Sequence, residues 1–438
     1  MDSNVKRIVA AMVILVAAAL IVVPRVIGAG IENSTAAKLM EMVPAEARSQ
    51  ISIEQTDFES SWFNSTAQFE VGLTAVAQQD LKLVLNLAIS HGPFFFTSQG
   101  LRLGMAYADI SPSLDNLASI TLPLELPDFD FYLLAGFDQS LEAGMSLGST
   151  DYESEQGHVL LEGLEASFAL AANQSARMVF AMDNLDIEIA NNNIAVQIPG
   201  VSMDSHTENL ANIAATSEAS LEIPSVVMES PVQVEVSGIS IDSRVGQSVA
   251  GTDQIDMYQR LEVANVESEL PIRSVNWVSE INEIHDSVFT EYSRLLGGLQ
   301  ASISSGNTAN PGQLNEIGQE LVLLLVQNNL VFKNLMEANL YGGDHRLDLE
   351  ISWPGIPTLT NIAGLDINEL VNALTVKLTL SLDERAAMQS PIADFVTAYV
   401  TEGLLLVDNG TVELLASLQD GNLIVNDENL PLDQFFSN

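Results

Sequence analysis

The stretch Pro231–Ser243, PVQVEVSGISIDS, decides the fold class. Val232, Val234 and Val236 fall on one side of a two-residue period, and Gln233, Glu235 and Ser237 on the other. A helix repeats every 3.6 residues and would scatter this pattern around its axis, whereas a pleated strand sends alternate residues to opposite faces. The same alternation recurs upstream in QISIEQTDF (Gln50–Phe58), AQFEVGLTAV (Ala67–Val76), LKLVLNLAI (Leu81–Ile89), LRLGMAYADI (Leu101–Ile110) and ASITLPLEL (Ala118–Leu126). Turn residues separate these runs at short intervals, which predicts antiparallel pairing. Downstream, HRLDLEISW (His345–Trp353) and ALTVKLTLSL (Ala373–Leu382) return to it, and the chain closes on TVELLASL, GNLIVN and the tail LPLDQFF. IPGVSMDS (Ile198–Ser205) and VSGISIDS (Val236–Ser243) match at four positions. Together with Gly163, their glycines Gly200 and Gly238 are nearly evenly spaced, as in a repeated strand–Gly–strand unit.

Helical periodicity interrupts the strands. Ile281, Ile284, Val288, Tyr292, Leu295 and Leu299 recur at three- and four-residue steps, which predicts an amphipathic helix ending near Gly297 and Gly298. Pro311 suits the first turn of a second helix running to about Gln327. SPIADFVTAYVTEGLLL (Ser390–Leu406) also reads as helix. At the other end, Lys6 and Arg7 precede Ile8–Val23, which carries no charged or polar side chain. Arg25 separates this run from the small residues Gly28, Ala29 and Gly30, so an uncleaved signal anchor is expected, with Lys6 and Arg7 cytoplasmic and the rest of the chain outside. A short helix over Ala36–Ala47 comes next, capped by Ser34 or Thr35. The expected fold class is α+β, mainly antiparallel β, with one N-terminal membrane helix and an extended antiparallel body holding a helical insert. Its regions are a cytoplasmic tip and anchor (1–30), a β-rich region (31–275), the insert (276–328) and a C-terminal β-rich region with one helix (329–438).

Of the 438 residues, 47% are hydrophobic, enough to bury a large core. Against 58 Asp and Glu stand only 16 Lys and Arg, a net charge of −42. Such a surface repels phosphate backbones, which disfavours nucleic acid as a partner. Self-repulsion of this size is screened by salt. The melting temperature of residues 31–438 should therefore rise as ionic strength is raised from low values, and a flat or falling midpoint would contradict a self-repelling surface. The absence of cysteine excludes disulfides and thiolate metal sites.

Five stretches in order carry a family resemblance: GIE (Gly30–Glu32) after the anchor, FESSWFNS (Phe58–Ser65), SHGPF (Ser90–Phe94), LDLEISW, and DGNLIVNDENLPLDQF (Asp420–Phe435). Together they resemble the YdgA-like family, a bacterial domain-of-unknown-function family anchored in the inner membrane. The resemblance implies a periplasmic β-rich body on one membrane helix. It brings no catalytic residues and no cofactor.

The family-motif residues Ser90, His91, Gly92, Pro93 and Phe94 are expected to be structural. Pro93 pushes Gly92 toward extended or turn geometry, so His91-Gly92-Pro93 ends the strand, with His91 expected to cap it by hydrogen-bonding a carbonyl, and Phe94, Phe95 and Phe96 should bury apolar area on both faces of the next segment. The other histidines, His158, His206, His285 and His345, have no ligand spacing, so no metal site is expected. GMSLG (Gly144–Gly148) fits the nucleophile pattern with Ser146 at its centre, but the polar STDYESEQGH stands where that pattern needs a helix. Carboxylate pairs such as Asp128 and Asp130, or Asp183 and Asp186, need no functional cause among 58 acids. The leading expectation is a non-enzymatic envelope scaffold or binding module for lipid, another apolar ligand or an envelope protein, with any uncovered apolar sheet face as the binding groove. The alternative is a serine hydrolase using Ser146.

Overall fold

The computed structural model describes residues 51–73, 81–97, 100–113, 129–154, 157–189, 194–210, 212, 214–230, 233–249, 251, 253–269, 271–288, 291, 311–361 and 367–430. The anchor at 1–30, the helix at 36–47, the strand at 118–126 and the tail from 431 lie outside them. Strand takes 67% of the described residues and helix 11%, which makes the class mainly antiparallel β. Among the described residues, no helix is long and apolar enough to cross a membrane.

The chain forms two compact units interleaved in sequence. The first holds the described residues up to Ser149 together with Gly163–Met178; the second holds Thr150–Glu162 and the described residues from Val179 onward.

The first unit contains β1 (Ile51–Ser60), β2 (Asn64–Leu73), β3 (Leu81–His91), β4 (Phe94–Thr97), β5 (Gly100–Leu103), β6 (Ala106–Ser113), β7 (Phe129–Ala135) and β8 (Leu141–Leu147). β9 (Thr150–Ser154) and β10 (Gly157–Glu162) belong to the second unit, and β11 (Leu164–Leu170) returns to the first. The ladder runs β1–β2–β3–β6–β7–β8–β11, antiparallel at every step. Its core follows from the two-residue period. Phe58, Ala67, Leu87, Ile110 and Phe131 stand opposite one another across five strands. Phe69, Ile89 and Ala108 join the same buried cluster. Leu101–Ile110, expected as one strand, is two. The break falls at Gly104, where a Cβ would lie 2.7 Å from the Ala135 carbonyl oxygen and 2.8 Å from Leu134 Cδ1. β4 and β5 therefore leave the ladder and pair only with each other.

β12 (Ala176–Met182) crosses from the first unit to the second at Val179, and the second unit continues through β13 (Asn184–Ile189), β14 (Ile194–Ile198), β15 (Val201–Thr207), β16 (Ser217–Glu229), β17 (Val234–Gln247), β18 (Gln254–Glu267) and β19 (Ile272–His285). Helix α1 (Pro311–Gln327) precedes β20 (Leu330–Leu340) and β21 (Gly343–Trp353), and α2 (Ile367–Ala373) precedes β22 (Thr375–Asp383). Then come α3 (Glu384–Gln389), α4 (Ala393–Thr401), β23 (Leu406–Asp408), β24 (Thr411–Gln419), β25 (Asn422–Val425) and β26 (Glu428–Leu430). From β16 each strand pairs antiparallel with the next, through β17, β18, β19, β20, β21 and β22 to β24. Asp383 caps α3 by accepting from the Ala386 amide at 2.8 Å. α3 and α4 cover one end of this sheet, where Leu382, Val412, Ala387, Val396 and Leu405 form a buried cluster.

The helix expected from Ile281 starts later than the spacing suggests, since residues 286–288 and 291 are helical but those before them are not. β19 runs through His285, so residues 276–285 of the expected insert are strand. Met257 faces Ile281 but Ile255 faces Ile284, so one extra residue is accommodated on β19. Glu283 sits there with φ of 63°, its amide donating to Asp256 Oδ1 at 2.9 Å. The bulge gives a strand the three-residue apolar step of a helical turn. The repeated glycines do share a left-handed backbone, with φ of 59°, 106° and 63° at Gly163, Gly200 and Gly238. Gly163 and Gly200 link strands, whereas Gly238 lies inside β17, so the three do not mark one repeated unit.

Candidate functional site

The SHGPFFF stretch occupies the end of β3. Ser90 stands between Asn64 and Tyr107 in the ladder. The His91 amide donates to the Phe63 carbonyl at 2.7 Å. Its ring places Nε2 2.9 Å from Ser65 Oγ and Nδ1 3.5 Å from the Trp62 carbonyl. The Ser65 hydroxyl also donates to Ser60 Oγ at 3.2 Å. A hydroxyl beside an imidazole is the pairing that activates a nucleophile. Here Ser65 is 2% exposed and His91 5%, so substrate has no path to the hydroxyl. The ring instead pins the turn between β1 and β2 to the end of β3. Removing it takes one partner from the buried Ser65 hydroxyl, which keeps Ser60, so His91→Ala should be mild, at about 1 kcal/mol. Urea unfolding measures this, and a variant as stable as the parent would show that the pin carries no weight.

After His91, the cis-linked Gly92 and Pro93 close the base of the hairpin. The Gly92 amide donates to the Met105 carbonyl at 2.7 Å, and the Gly104 amide to the Pro93 carbonyl at 3.2 Å. Phe94 pairs with Leu103, Phe95 with Arg102, and Phe96 with Leu101. The expectation that all three phenylalanines are buried is corrected by the pleat. Phe95 alone turns inward, to Tyr107 at 5.8 Å between ring centres and to Leu134. Phe96 is 90% exposed, and Phe94, Leu101 and Leu103 are each more than half exposed. Trp62 and Phe63, in the turn pinned by His91, are about half exposed.

Beneath the hairpin, Arg102 Nη1 lies 3.1 Å from Glu142 Oε1, which also accepts from the Tyr132 hydroxyl at 2.9 Å. The Tyr132 ring crosses Gly144, its partner on β8; a Cβ there would lie 2.3 Å from ring carbon Cε1. The first glycine of GMSLG is thus fixed by a tyrosine. Ser146 lies within β8, paired with Asp130 on one side and Glu165 on the other, so no strand–turn–helix elbow forms around it. Tyr107 stacks on Tyr132 at 5.9 Å. Burial first, and then the Asp109 carboxylate, push the Tyr107 phenol up from 10.0 to about 12. Below pH 10 both folded and unfolded chains keep this proton. Between about 10 and about 12 the unfolded chain releases it first, so stability falls as pH rises through that window. Tyr107→Phe should flatten this fall when urea midpoints at pH 9 and pH 11 are compared.

The other histidines are dispersed. His158 meets Asp151 at 2.7 Å, His285 lies near Asp253 and Asp286, and His206 and His345 are in β15 and β21. Among the described residues, no group of three His, Asp or Glu could hold a metal ion. Asp186 accepts from Asn184 at 3.1 Å, and Asp128 lies outside the described residues.

The second unit carries a feature that only register exposes. Leu221, Ile241, Leu261, Trp277, Met336, Leu347, Leu380 and Leu414 stand directly opposite one another from β16 to β24. Two residues along, on the same face, Ile223, Ile239, Val263, Val275, Ala338, His345, Leu382 and Val412 form a second row. The helical cluster buries Leu382 and Val412. From Leu221 to Leu347 the first row is half-buried, with Met336 39% exposed. The intervening residues make the other face ionic. Arg260 meets Glu262 and Arg346 meets Glu337, each at 2.6 Å, and Arg244 lies 5.9 Å from the Tyr258 ring centre.

The molecule is thus an antiparallel β protein with a half-open apolar sheet face in one unit and a hairpin with one exposed aromatic and aliphatic face in the other. It belongs to a bacterial family of proteins of unknown function (DUF945), whose model matches residues 5–433. Neither the curated proteins nor the solved structures contain a match to the chain.

Proposed function

We propose that the protein is a non-enzymatic binding module of the bacterial envelope, held at the inner membrane by Ile8–Val23 with its body in the periplasm. Its ligand is an acyl chain or a similarly apolar molecule laid across the sheet face of β16–β21. The observation that carries this reading is the apolar row from Leu221 to Leu347, half-buried on a sheet whose other face is ionic. Six strands about 4.8 Å apart extend the row over roughly 24 Å. That exceeds the roughly 15 Å depth of one bilayer leaflet, so a single acyl chain has room along it. Covering such a face gains about 25 cal/mol for each Å² of apolar surface removed from water.

Trp277 lies in the row and reports on it. Full-length Trp62→Phe protein, which keeps Trp277 and the buried Trp353, is exchanged from detergent into amphipathic polymer; its tryptophan fluorescence should be quenched by brominated palmitate, and adding Trp277→Phe should remove that quenching. Leu261→Asp places a carboxylate in the row and should weaken binding at least tenfold. Quenching that survives Trp277→Phe, or no quenching by any brominated acyl chain, refutes the assignment of this face.

A further inference from the structure

We propose that the β4–β5 hairpin and the turn at residues 61–63 form a second contact surface, which seats in the interfacial layer of a lipid bilayer. It lies wholly in the first unit and does not depend on the acyl-binding reading.

Phe94, Phe96, Leu101 and Leu103 occupy one face of the hairpin, all exposed, and Trp62 and Phe63 lie at its root, where His91 ties the turn to β3. Trp62, with an apolar ring and a polar N–H, suits the headgroup level of a bilayer, and the phenylalanines and leucines suit the acyl boundary just beneath it. Charge selects the occupant further. The chain carries 58 carboxylates, yet residues 60–65 and 92–105 contain none, and their one charged residue is Arg102. Arg102 lies on the inward side with Phe95 and is paired with Glu142. The turn after β7 adds exposed Phe137 and Asp138, and exposed Glu59 precedes Ser60, so the nearby carboxylates flank this surface without lying in it. An acidic body can approach lipid phosphates only through a surface free of its own acids, and this tip provides one. A hairpin with four-residue strands is about 13 Å long, enough to reach the depth of 5–10 Å at which interfacial segments lie. Phe95, buried against Tyr107 and Leu134, fixes the hairpin in advance, so little freedom is lost on insertion.

The chain has no cysteine, so a single introduced thiol can be labelled without background. Full-length Phe96→Cys carrying an NBD fluorophore is reconstituted in phosphatidylcholine vesicles, with Glu54→Cys on exposed β1 as the reference position. The label at 96 should be at least threefold brighter than the label at 54 and should be quenched by spin-labelled lipid. Adding Phe94→Ser and Leu103→Ser should abolish the gain, with circular dichroism showing that the fold is retained. A label at 96 that is as dim and as unquenched as the one at 54 overturns the proposal. So does a label equally shielded in lipid-free polymer with a dimer seen by light scattering, which would assign the face to a second copy of the chain. Brominated-palmitate quenching of Trp277 should be unchanged in the hairpin variants, so failure of this surface and failure of the sheet face are read separately.

Discussion

Phe69→Ala should lower the unfolding free energy by about 3–5 kcal/mol. Phe69 has no exposed surface and lies in β2, between Gln55 of β1 and Leu85 of β3. Its neighbours Ala67, Leu87, Ile89, Ala108 and Ile110 are all held on ladder strands. A ladder strand cannot move inward without breaking hydrogen bonds on both edges, so the cavity left by the ring stays largely open. Urea unfolding of parent and variant measures the loss, with the slope against urea unchanged. A loss below about 1 kcal/mol would mean that the strands close over the space after all.

Gly92→Val should be as damaging, on the order of 4 kcal/mol or more, for a different reason. A Cβ at Gly92 would lie 1.9 Å from the Gly104 carbonyl oxygen and 3.1 Å from that of Met105. Both atoms are backbone, and the Met105 oxygen already accepts the Gly92 amide at 2.7 Å, so no rotamer relieves the overlap. The branch of valine is not the only obstacle. In the structure the first carbon already collides, and Gly92 is not among the residues with positive φ. Gly92→Ala should therefore fail nearly as badly as Gly92→Val, with near-ultraviolet circular dichroism and melting temperature as the readouts. A benign alanine would show that the β4–β5 hairpin can swing away from Gly104 at little cost.

Much of the candidate site was legible residue by residue, and much was not. SHGPF marks a strand end, because the residue before a proline is driven from helical geometry and β3 stops at His91. Ser65, the partner of His91, also lies in a family motif, FESSWFNS, but nothing local joins two residues 26 apart in sequence. GMSLG is the converse case: a short pattern fits a catalytic elbow, while Gly144 is glycine because Tyr132 crosses it. Ile281 and Ile284 misled because a bulge and a helical turn give the same three-residue step.

The sequence by itself determined that the protein is built of antiparallel strands with one apolar and one polar face, that its surface is acidic, and where β3 ends. These are local properties: alternation is written in consecutive residues, and the torsional limits of Gly-Pro act on their immediate neighbours. Only the tertiary structure decided which apolar residues are covered. Phe94, Phe95 and Phe96 are identical in chemistry, and Phe95 alone is buried because Tyr107 and Leu134, from β6 and β7, lie on its side of the hairpin. Likewise Leu221 and Leu414 belong to one row because seven successive strand registers align them, yet among the described residues α3 and α4 bury its β22–β24 end and α1 meets β21 at Trp353 through the Val326 carbonyl. A two-residue period defines two faces but carries no information about what packs on either. Burial is a contact between distant parts of the chain, so it is settled only when the strands are in register.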